Sequence, residues 1–386
     1  MHAITRRRVL KQAFLWAVTG VTRYAAPQSA WARVLAADEI SERERAAMAA
    51  TAEGFRTKYG VPGLSIAIAR QGRHAYEEAF GVADRERGES LAPSHLFRIA
   101  SVTKPITSSA ILDLVEIGRL KLEDRVFGRG AVLGTHFGRM PYGRHLEEIT
   151  IEHLLTHTCG GWQNDAQDPM FRNPSMNHDE LISWTLDSVP LTTPPGQSFA
   201  YSNFGFCLLG RVIEAATGRS YAEHVQQRVL DRCGVRRMSL AGNTLGDRAP
   251  QEVRYYGQSG ENPYGMNVRR MDSHGGWLAT GSDLTAFAMH VDGFMTTPNI
   301  LRAETIRTMT TPSTANDNYA KGWSVNSMNN WWHNGSLPGT ATILVRTASG
   351  FCWAALANTR RPNSDMDLAL DRMVWEMVQS VSAWRS

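Results

Sequence analysis

The stretch Phe97-Arg98-Ile99-Ala100-Ser101-Val102-Thr103-Lys104-Pro105 joins a β-rich part of the chain to an amphipathic one. Ser101 and Lys104 are three residues apart, a spacing that on a helix puts both side chains on one face, one turn apart. Ile106, Ala110, Ile111, Leu114 and Val115 continue as an apolar stripe, and Gly118 is its stop. Pro105 is tolerated only in a first turn, so the helix is predicted to begin near Ser101. A serine oxygen attacks poorly until a base takes its proton, and a lysine amine is such a base when its surroundings keep it neutral. The free N–H groups of a helix N-terminus also favour negative charge on a reacting oxygen. The chain has five lysines (Lys11, Lys58, Lys104, Lys121, Lys321), and only Lys104 has a serine three residues before it. A surface serine beside a surface lysine gives the same short pattern, so its weight depends on the rest of the chain.

Outward from this stretch, strand signals occupy both ends and helical ones the middle. A charged, alanine-rich helix is expected over 40–58, then strands at 63–69 and 76–80 around the turn Gln71-Gly72. From about 120 to 265 the pattern is helical: Thr150 caps a helix over 151–157, and Asn177 with Glu180 and Ser220 with Glu223 read as capping boxes. The long loops 158–177 and 188–200 are of the kind that carry function. Ser282 is the expected cap of a helix running through Val291. Short β-rich runs at 322–326, 331–333, 340–346 and 351–358 suggest an antiparallel meander, closed by an amphipathic helix over 366–378. The fold class is therefore α/β (α+β): an antiparallel sheet built from both chain ends and flanked by helices, with an inserted all-helical domain. A length of 386 residues fits this division, with an α/β domain of 33–118 and 266–386 and a helical domain of 119–265.

The first 32 residues read as a targeting segment. Thr5-Arg6-Arg7-Arg8-Val9-Leu10-Lys11 resembles the twin-arginine export signal, 13–22 is modestly apolar, and Ala30-Trp31-Ala32 offers a small-residue cleavage site. The expected location is periplasmic; a basic amphipathic arm is the alternative. Arg6, Arg7, Arg8, Lys11 and Arg23 are the only charges there, so removing these five cations takes the +4 of the whole chain to −1. No basic patch with interleaved aromatics points to nucleic acid. A hydrophobic content of 42% with 20% charged residues is that of a globular protein, and no run of about 18 uncharged apolar residues suggests a membrane span. Cys159, Cys207, Cys233 and Cys352 are scattered without a Cys-x-x-Cys pair, which excludes a zinc ribbon or thioredoxin-type motif and favours buried free thiols.

Two further stretches are candidates for chemistry. Tyr201-Ser202-Asn203 follows the turn segment Thr193-Pro194-Pro195-Gly196 and precedes an apolar-faced helix ending at Gly218. A tyrosine carries protons when cations lower its pKa, and an asparagine offers both donor and acceptor to a substrate ester or amide. In Trp332-His333-Asn334-Gly335-Ser336, a glycine at the end of a strand lets a substrate backbone approach, and the N–H of Ser336 can join that of Ser101 as an oxyanion hole. Each also has a plainer reading: a packed tyrosine beside a helix cap, and a core histidine between aromatics.

Taken in order, Ser-x-x-Lys, Tyr-Ser-Asn about 100 residues on and His-x-Gly about 130 further resemble the penicillin-recognising serine hydrolases over roughly 40–380. The nearest groups are class C β-lactamases, serine DD-carboxypeptidases and the carboxylesterases of family VIII. Val61-Pro62-Gly63, Leu154-Leu155-Thr156-His157-Thr158, Thr193-Pro194-Pro195-Gly196 and Gly275-Gly276-Trp277 are similar to the family as well. The resemblance implies an α/β sandwich and a helical domain with the site between them. It implies that Ser101 attacks a carbonyl and forms an acyl-enzyme, that Lys104 and Tyr201 share proton transfer, and that Asn203 orients the substrate. His333 would supply a donor, with Gly335 and Ser336 beside it, and water would release the acid without metal or other cofactor. Whether Lys104 or Tyr201 is the base stays open.

One departure bears on the substrate. Class C enzymes carry lysine where this chain has His333, and a histidine with a pKa near 6.5 is mostly uncharged at neutral pH. This favours a small-molecule ester, amide or D-amino-acid peptide over a β-lactam, with a β-lactamase as the alternative. Trp162, Trp277, Trp331 and Trp332 are candidates to line an acyl pocket, and Arg360 and Arg361 to hold a substrate carboxylate. His153 and His157 have a metal-ligand spacing, but Leu154 stands where a metalloprotease needs glutamate. A non-catalytic module that recognises cell-wall peptide or penicillin is the rival from another class. Substrate identity and oligomeric state are not legible.

Overall fold

Strands from early and late in the described chain meet in one sheet. The structure, a computed structural model, describes residues 40–384, so the expected targeting segment lies outside the described residues. In chain order the helices are α1 (Glu42–Tyr59), α2 (Thr103–Glu116), α3 (Ile151–Leu155), α4 (Pro169–Arg172), α5 (His178–Ser188), α6 (Asn203–Thr217), α7 (Tyr221–Val225), α8 (Gly281–Met289), α9 (Ala303–Thr310) and α10 (Met366–Gln379). The strands are β1 (Gly63–Arg70), β2 (Arg73–Asp84), β3 (Glu89–Ser90), β4 (Phe97–Arg98), β5 (Ser239–Leu240), β6 (Trp277–Ala279), β7 (Ser324–Val325), β8 (Trp331–Leu337), β9 (Thr340–Arg346) and β10 (Phe351–Ala357). The main sheet has the order β3-β2-β1-β10-β9-β8-β7. The N-terminal strand β1 pairs antiparallel with the C-terminal β10, from Leu64 opposite Ala357 to Arg70 opposite Phe351.

Burial explains why β10 shows no polar–apolar alternation. Phe351, Trp353, Ala355 and Ala357 pack with α1 and α10 through Met48, Phe55, Leu370 and Met377. Cys352, Ala354 and Leu356 point to the other face, into the cluster that holds Ile111, Phe204 and Phe287. A strand with both faces covered reads as a continuous apolar run. That second cluster also includes Phe97 and Ile106 on the sheet side and Leu154, Phe206 and Leu209 from the inserted segment, so the two parts share one contiguous core.

Several expected elements shift. The 119–265 segment is not wholly helical: β5 pairs with β6, which pairs with β4 in a small second sheet. Its first part is mostly turns, where Gly128, Gly130, Gly134 and Gly138 all take positive φ and suit turns better than helix. The cap of α8 is Thr280, whose side chain accepts the Asp283 N–H while Asp283 reaches back; Ser282 lies inside the first turn. The expected strand at 331–333 continues to Leu337 because β9 pairs with its full length. The boxes at Asn177–Glu180 and Ser220–Glu223 and the Thr150 cap are formed.

Candidate active site

Ser101 is held by a pinned turn. β4 pairs with β6, so the chain enters the turn in fixed register. The Ile99 N–H donates to the Trp277 carbonyl at 3.0 Å, and the Ile99 carbonyl accepts from the Thr342 hydroxyl at 2.9 Å. Ala100 takes φ +48°, a conformation an L-residue holds only where its surroundings enforce it. A 3-10 turn over Ala100–Val102 follows and runs into α2, so the helix begins close to where Pro105 requires.

Lys104 is fully buried on the first turn of α2. Its Nζ lies 3.1 Å from Ser101 Oγ, 2.9 Å from Asn203 Oδ1 and 3.0 Å from the His274 carbonyl. Burial pushes its pKa down to about 7, against the attraction of Asp168. The Tyr201 ring sits 4.8 Å from the amine, and burial holds the phenol well above its ordinary value while a hydrogen bond with the Ser101 side chain opposes this. Asn203 opens α6, with Ser202 as its cap. Its amide is fully engaged: Nδ2 donates to Asn164 at 3.0 Å and to Asp168 at 2.9 Å, while the oxygen faces Lys104. Exposed Asn164 thereby joins Asn203 beside Lys104.

His333 is buried, and both its nitrogens are taken. The Ser202 N–H donates to His157 Nδ1 at 3.1 Å, which leaves the proton of neutral His157 on Nε2, 3.1 Å from the Tyr319 hydroxyl. Tyr319 then donates to His333 Nε2 at 3.1 Å, and His333 Nδ1–H donates to the Asn334 carbonyl at 2.7 Å. Each donor meets one acceptor only if both rings are neutral. Burial, with nearby Lys104 as the second cause, pushes His333 down to about 3 and His157 well below its ordinary value. In this arrangement the His333 proton is used within the strand, where the sequence led to the expectation of a donor to substrate. His157 itself has φ +57° and packs its ring 4.2 Å from that of Tyr201, so the Leu154–Thr158 motif braces the tyrosine.

Gly335 also has a packing role. It lies within β8, not at its end, and a Cβ there would come 2.2 Å from the Ile99 carbonyl oxygen and 3.2 Å from Ala100 Cβ. Its bareness lets β8 lie against the turn that carries Ser101. Two hollows flank Ser101, and both reach Asn164 and Ser336. One, of about 470 Å³, is lined by Phe171, Met266, Met271, His274, Leu337 and Arg360. The other, of about 390 Å³, is lined by Phe199, Asn316, Asn318, Tyr319, His333 and Asn334.

The four tryptophans are not in these linings. Trp162, Trp277 and Trp331 are core residues, and Trp332 packs on the α1–α10 side. Arg360 does face the cleft, but it is paired with Glu261 and donates to Ser336 Oγ at 3.2 Å. His153 accepts from its own cap at Thr150, away from His157. The four cysteines are free and buried. No described helix is long and apolar enough to cross a membrane.

The Beta-lactamase family model matches residues 43–374. The chain belongs to the beta-lactamase family. This is the family to which the ordered motifs pointed. Among curated relatives, Penicillin-binding protein 4 of Amycolatopsis lactamdurans is 28% identical over 253 residues, covering 62% of this chain and 62% of the relative. Esterase EstB of Burkholderia gladioli is 35% identical over 184 residues, 45% of this chain and 46% of the relative. The matches thus span roughly half to three-fifths of those relatives' lengths. The solved D-amino acid amidase from Ochrobactrum anthropi SV3, complexed with L-phenylalanine amide, shares the fold with a TM-score of 0.72 at 20% identity, over 88% of this chain and 98% of that one.

Asp168, Tyr319, Asn164 and His274 are site residues that sequence reasoning missed. Asp168 before Pro169 does carry a local signal, but for a helix cap. Nothing in the sequence places it against Asn203, or Tyr319 between two histidines.

Proposed function

We propose that this chain is a serine hydrolase that cleaves an uncharged ester or amide through a Ser101 acyl-enzyme. The observation that carries this reading is the environment of Lys104 Nζ. Two of its three neighbours, the Asn203 amide oxygen and the His274 carbonyl, only accept. A neutral amine has two N–H donors for them and one lone pair, which is left to receive the Ser101 proton. Burial supplies the neutrality. Lys104 is the base on this reading, because the Tyr201 phenol is held protonated near neutral pH.

As the Ser101 Oγ–carbon bond forms, the proton passes to Lys104 and the carbonyl oxygen takes the negative charge. The N–H groups of Ser101 and Ser336 are its assigned donors. Lys104, directly or through Tyr201, protonates the leaving alcohol or amine as that bond breaks. Water then repeats the sequence on the acyl-enzyme and frees the acid. Among the described residues, neutral His333 and the Arg360–Glu261 pair leave no unpaired cation in the linings of the two hollows beside Ser101, which supports uncharged substrates over β-lactams. The relatives that are an esterase, a penicillin-binding protein and an amidase support acyl transfer as the common chemistry.

Intact mass after reaction with a fluorophosphonate, a penicillin and p-nitrophenyl esters tests this, with wild type beside Ser101→Ala. A Ser101-dependent adduct and ester turnover are expected. Absence of both in the wild type would leave a binding module. We also propose export to the periplasm on the Arg6-Arg7-Arg8 signal, tested by N-terminal sequencing for cleavage after Ala32.

A further inference from the structure

Asp168 is completely buried beside the site and takes no part in the proton transfers among Ser101, Lys104 and Tyr201. One carboxylate oxygen caps α4 by accepting the Met170 N–H at 2.9 Å. The other accepts from Asn203 Nδ2 at 2.9 Å. Among the described residues no lysine, arginine or histidine forms an ion pair with it. A cap needs one oxygen, and serine or asparagine supplies it as well. A buried carboxylate without a cation is costly unless its charge serves something.

We propose that Asp168 is the positioning residue of the base: through the Asn203 amide it fixes an acceptor on Lys104 and supplies the counter-charge when Lys104 carries the Ser101 proton. An acceptor-only carboxylate compels Asn203 to present its nitrogen there, which turns its oxygen onto Lys104. The other groups facing Lys104 offer no anion. Tyr201 is held protonated, and His157, His274 and His333 are held neutral by burial and resist a neighbouring cation. Asp168 is the one carboxylate that acts on Lys104 and raises its affinity for a proton. The proton moves from Ser101 Oγ to Lys104 Nζ; burial raises the Asp168 carboxyl to about 6 against the hydrogen bond from Asn203, so at neutral pH and above it stays ionised and takes no proton itself. The inference rests on Lys104 being the base.

The test is the pH profile of kcat/KM for a p-nitrophenyl ester in wild type, Asp168→Asn and Asp168→Ser, normalised to the fraction labelled by fluorophosphonate. Both variants keep an acceptor for the Met170 N–H, and serine keeps the cap should the asparagine variant misfold. Without the anion, Lys104 loses its proton at lower pH. The acid limb moves down by about one pH unit, and the plateau falls about 3-fold or more because the base is weaker. The profiles therefore converge or cross below neutrality. A purely structural role lowers the curve at every pH and leaves the limb in place, and that result overturns the proposal. If wild type takes no Ser101 label, the hydrolase reading fails and this inference with it. A normal label with an unmoved limb refutes only the role of Asp168.

Discussion

Replacing Lys104 by methionine removes the amine and keeps the volume, and the consequence for stability follows from burial. In the unfolded chain the lysine holds its proton up to about pH 10.4. In the folded site it does so only to about 7. Between these values the unfolded state binds one proton more than the folded state, so stability rises with pH across the window. The full swing is about 1.4 kcal/mol per unit over some three units, roughly 4 kcal/mol, fully lost below pH 7 and regained above pH 10. Buried tyrosines and cysteines titrate over part of this range with the opposite effect, because their folded pKa values are raised. They are common to both proteins and cancel in the difference. Urea denaturation of wild type and Lys104→Met at pH 7.5, 8.5 and 9.5 isolates the lysine. The wild type should gain about 2–3 kcal/mol on the variant across those two units. The wild-type kcat/KM should fall tenfold per unit below pH 7, and the variant should be inactive. A difference that stays flat with pH would mean Lys104 keeps its proton in the folded protein, and the base assignment would go with it.

Other perturbations give separate checks. Tyr319→Phe strands the His157 Nε2–H and the His333 lone pair inside the core, and should cost about 1–3 kcal/mol in urea denaturation with reduced kcat/KM; an unchanged midpoint would contradict the hydrogen-bond chain. Gly335→Ala puts a methyl 2.2 Å from the Ile99 oxygen, so β8 must move off the Ser101 turn. We expect a loss of about 1–3 kcal/mol and a slower fluorophosphonate reaction at saturating probe, whereas an effect on KM alone would return the glycine to a substrate-approach role. Lengthening the acyl chain of a p-nitrophenyl ester from acetyl to hexanoyl should raise kcat/KM by up to about 4-fold per methylene as the Phe171–Met266–Leu337 hollow fills. Indifference to chain length would place the acyl group on the polar side.

What was legible in the sequence was local. Pro105 in a first turn, the Asn177 and Ser220 capping boxes and the three-residue spacing of Ser101 and Lys104 are all decided within about one helical turn, and each is found where expected. The sheet strands near both ends were legible because period and turn residues are local too, whereas β5 and the turns inside 119–265 were not. Contacts across the chain were not. Gly335 is bare because of Ile99, some 236 residues before it. His333 is neutral because burial and nearby Lys104 make it so, whereas its isolated pKa suggested partial charge. The tryptophans drew attention as pocket formers, yet their size made them core, and the cleft is lined by smaller Phe171, Met266 and Leu337. The cap at Thr280 was missed because Ser282 offered the same chemistry two residues later, and only the reach of Asp283 distinguishes them.

The electrostatics of the site have one consequence for how it selects. Every imidazole around Lys104 is kept neutral by burial, and the one arginine in the cleft is already paired with Glu261. A site filled with fixed cations would bind carboxylates well, but it would also raise the cost of protonating Lys104 during attack. Here the amine is poised near neutrality by burial alone, with Asp168 as the single opposing charge. Adding a lysine at 333 to gain carboxylate affinity would push the Lys104 pKa lower and weaken the base, unless a second anion were added with it. On the proposed reading, neutral histidine at 333 and uncharged substrates are therefore two sides of one arrangement, in which desolvation tunes Lys104 as the base and recognition is left to shape and apolar contact.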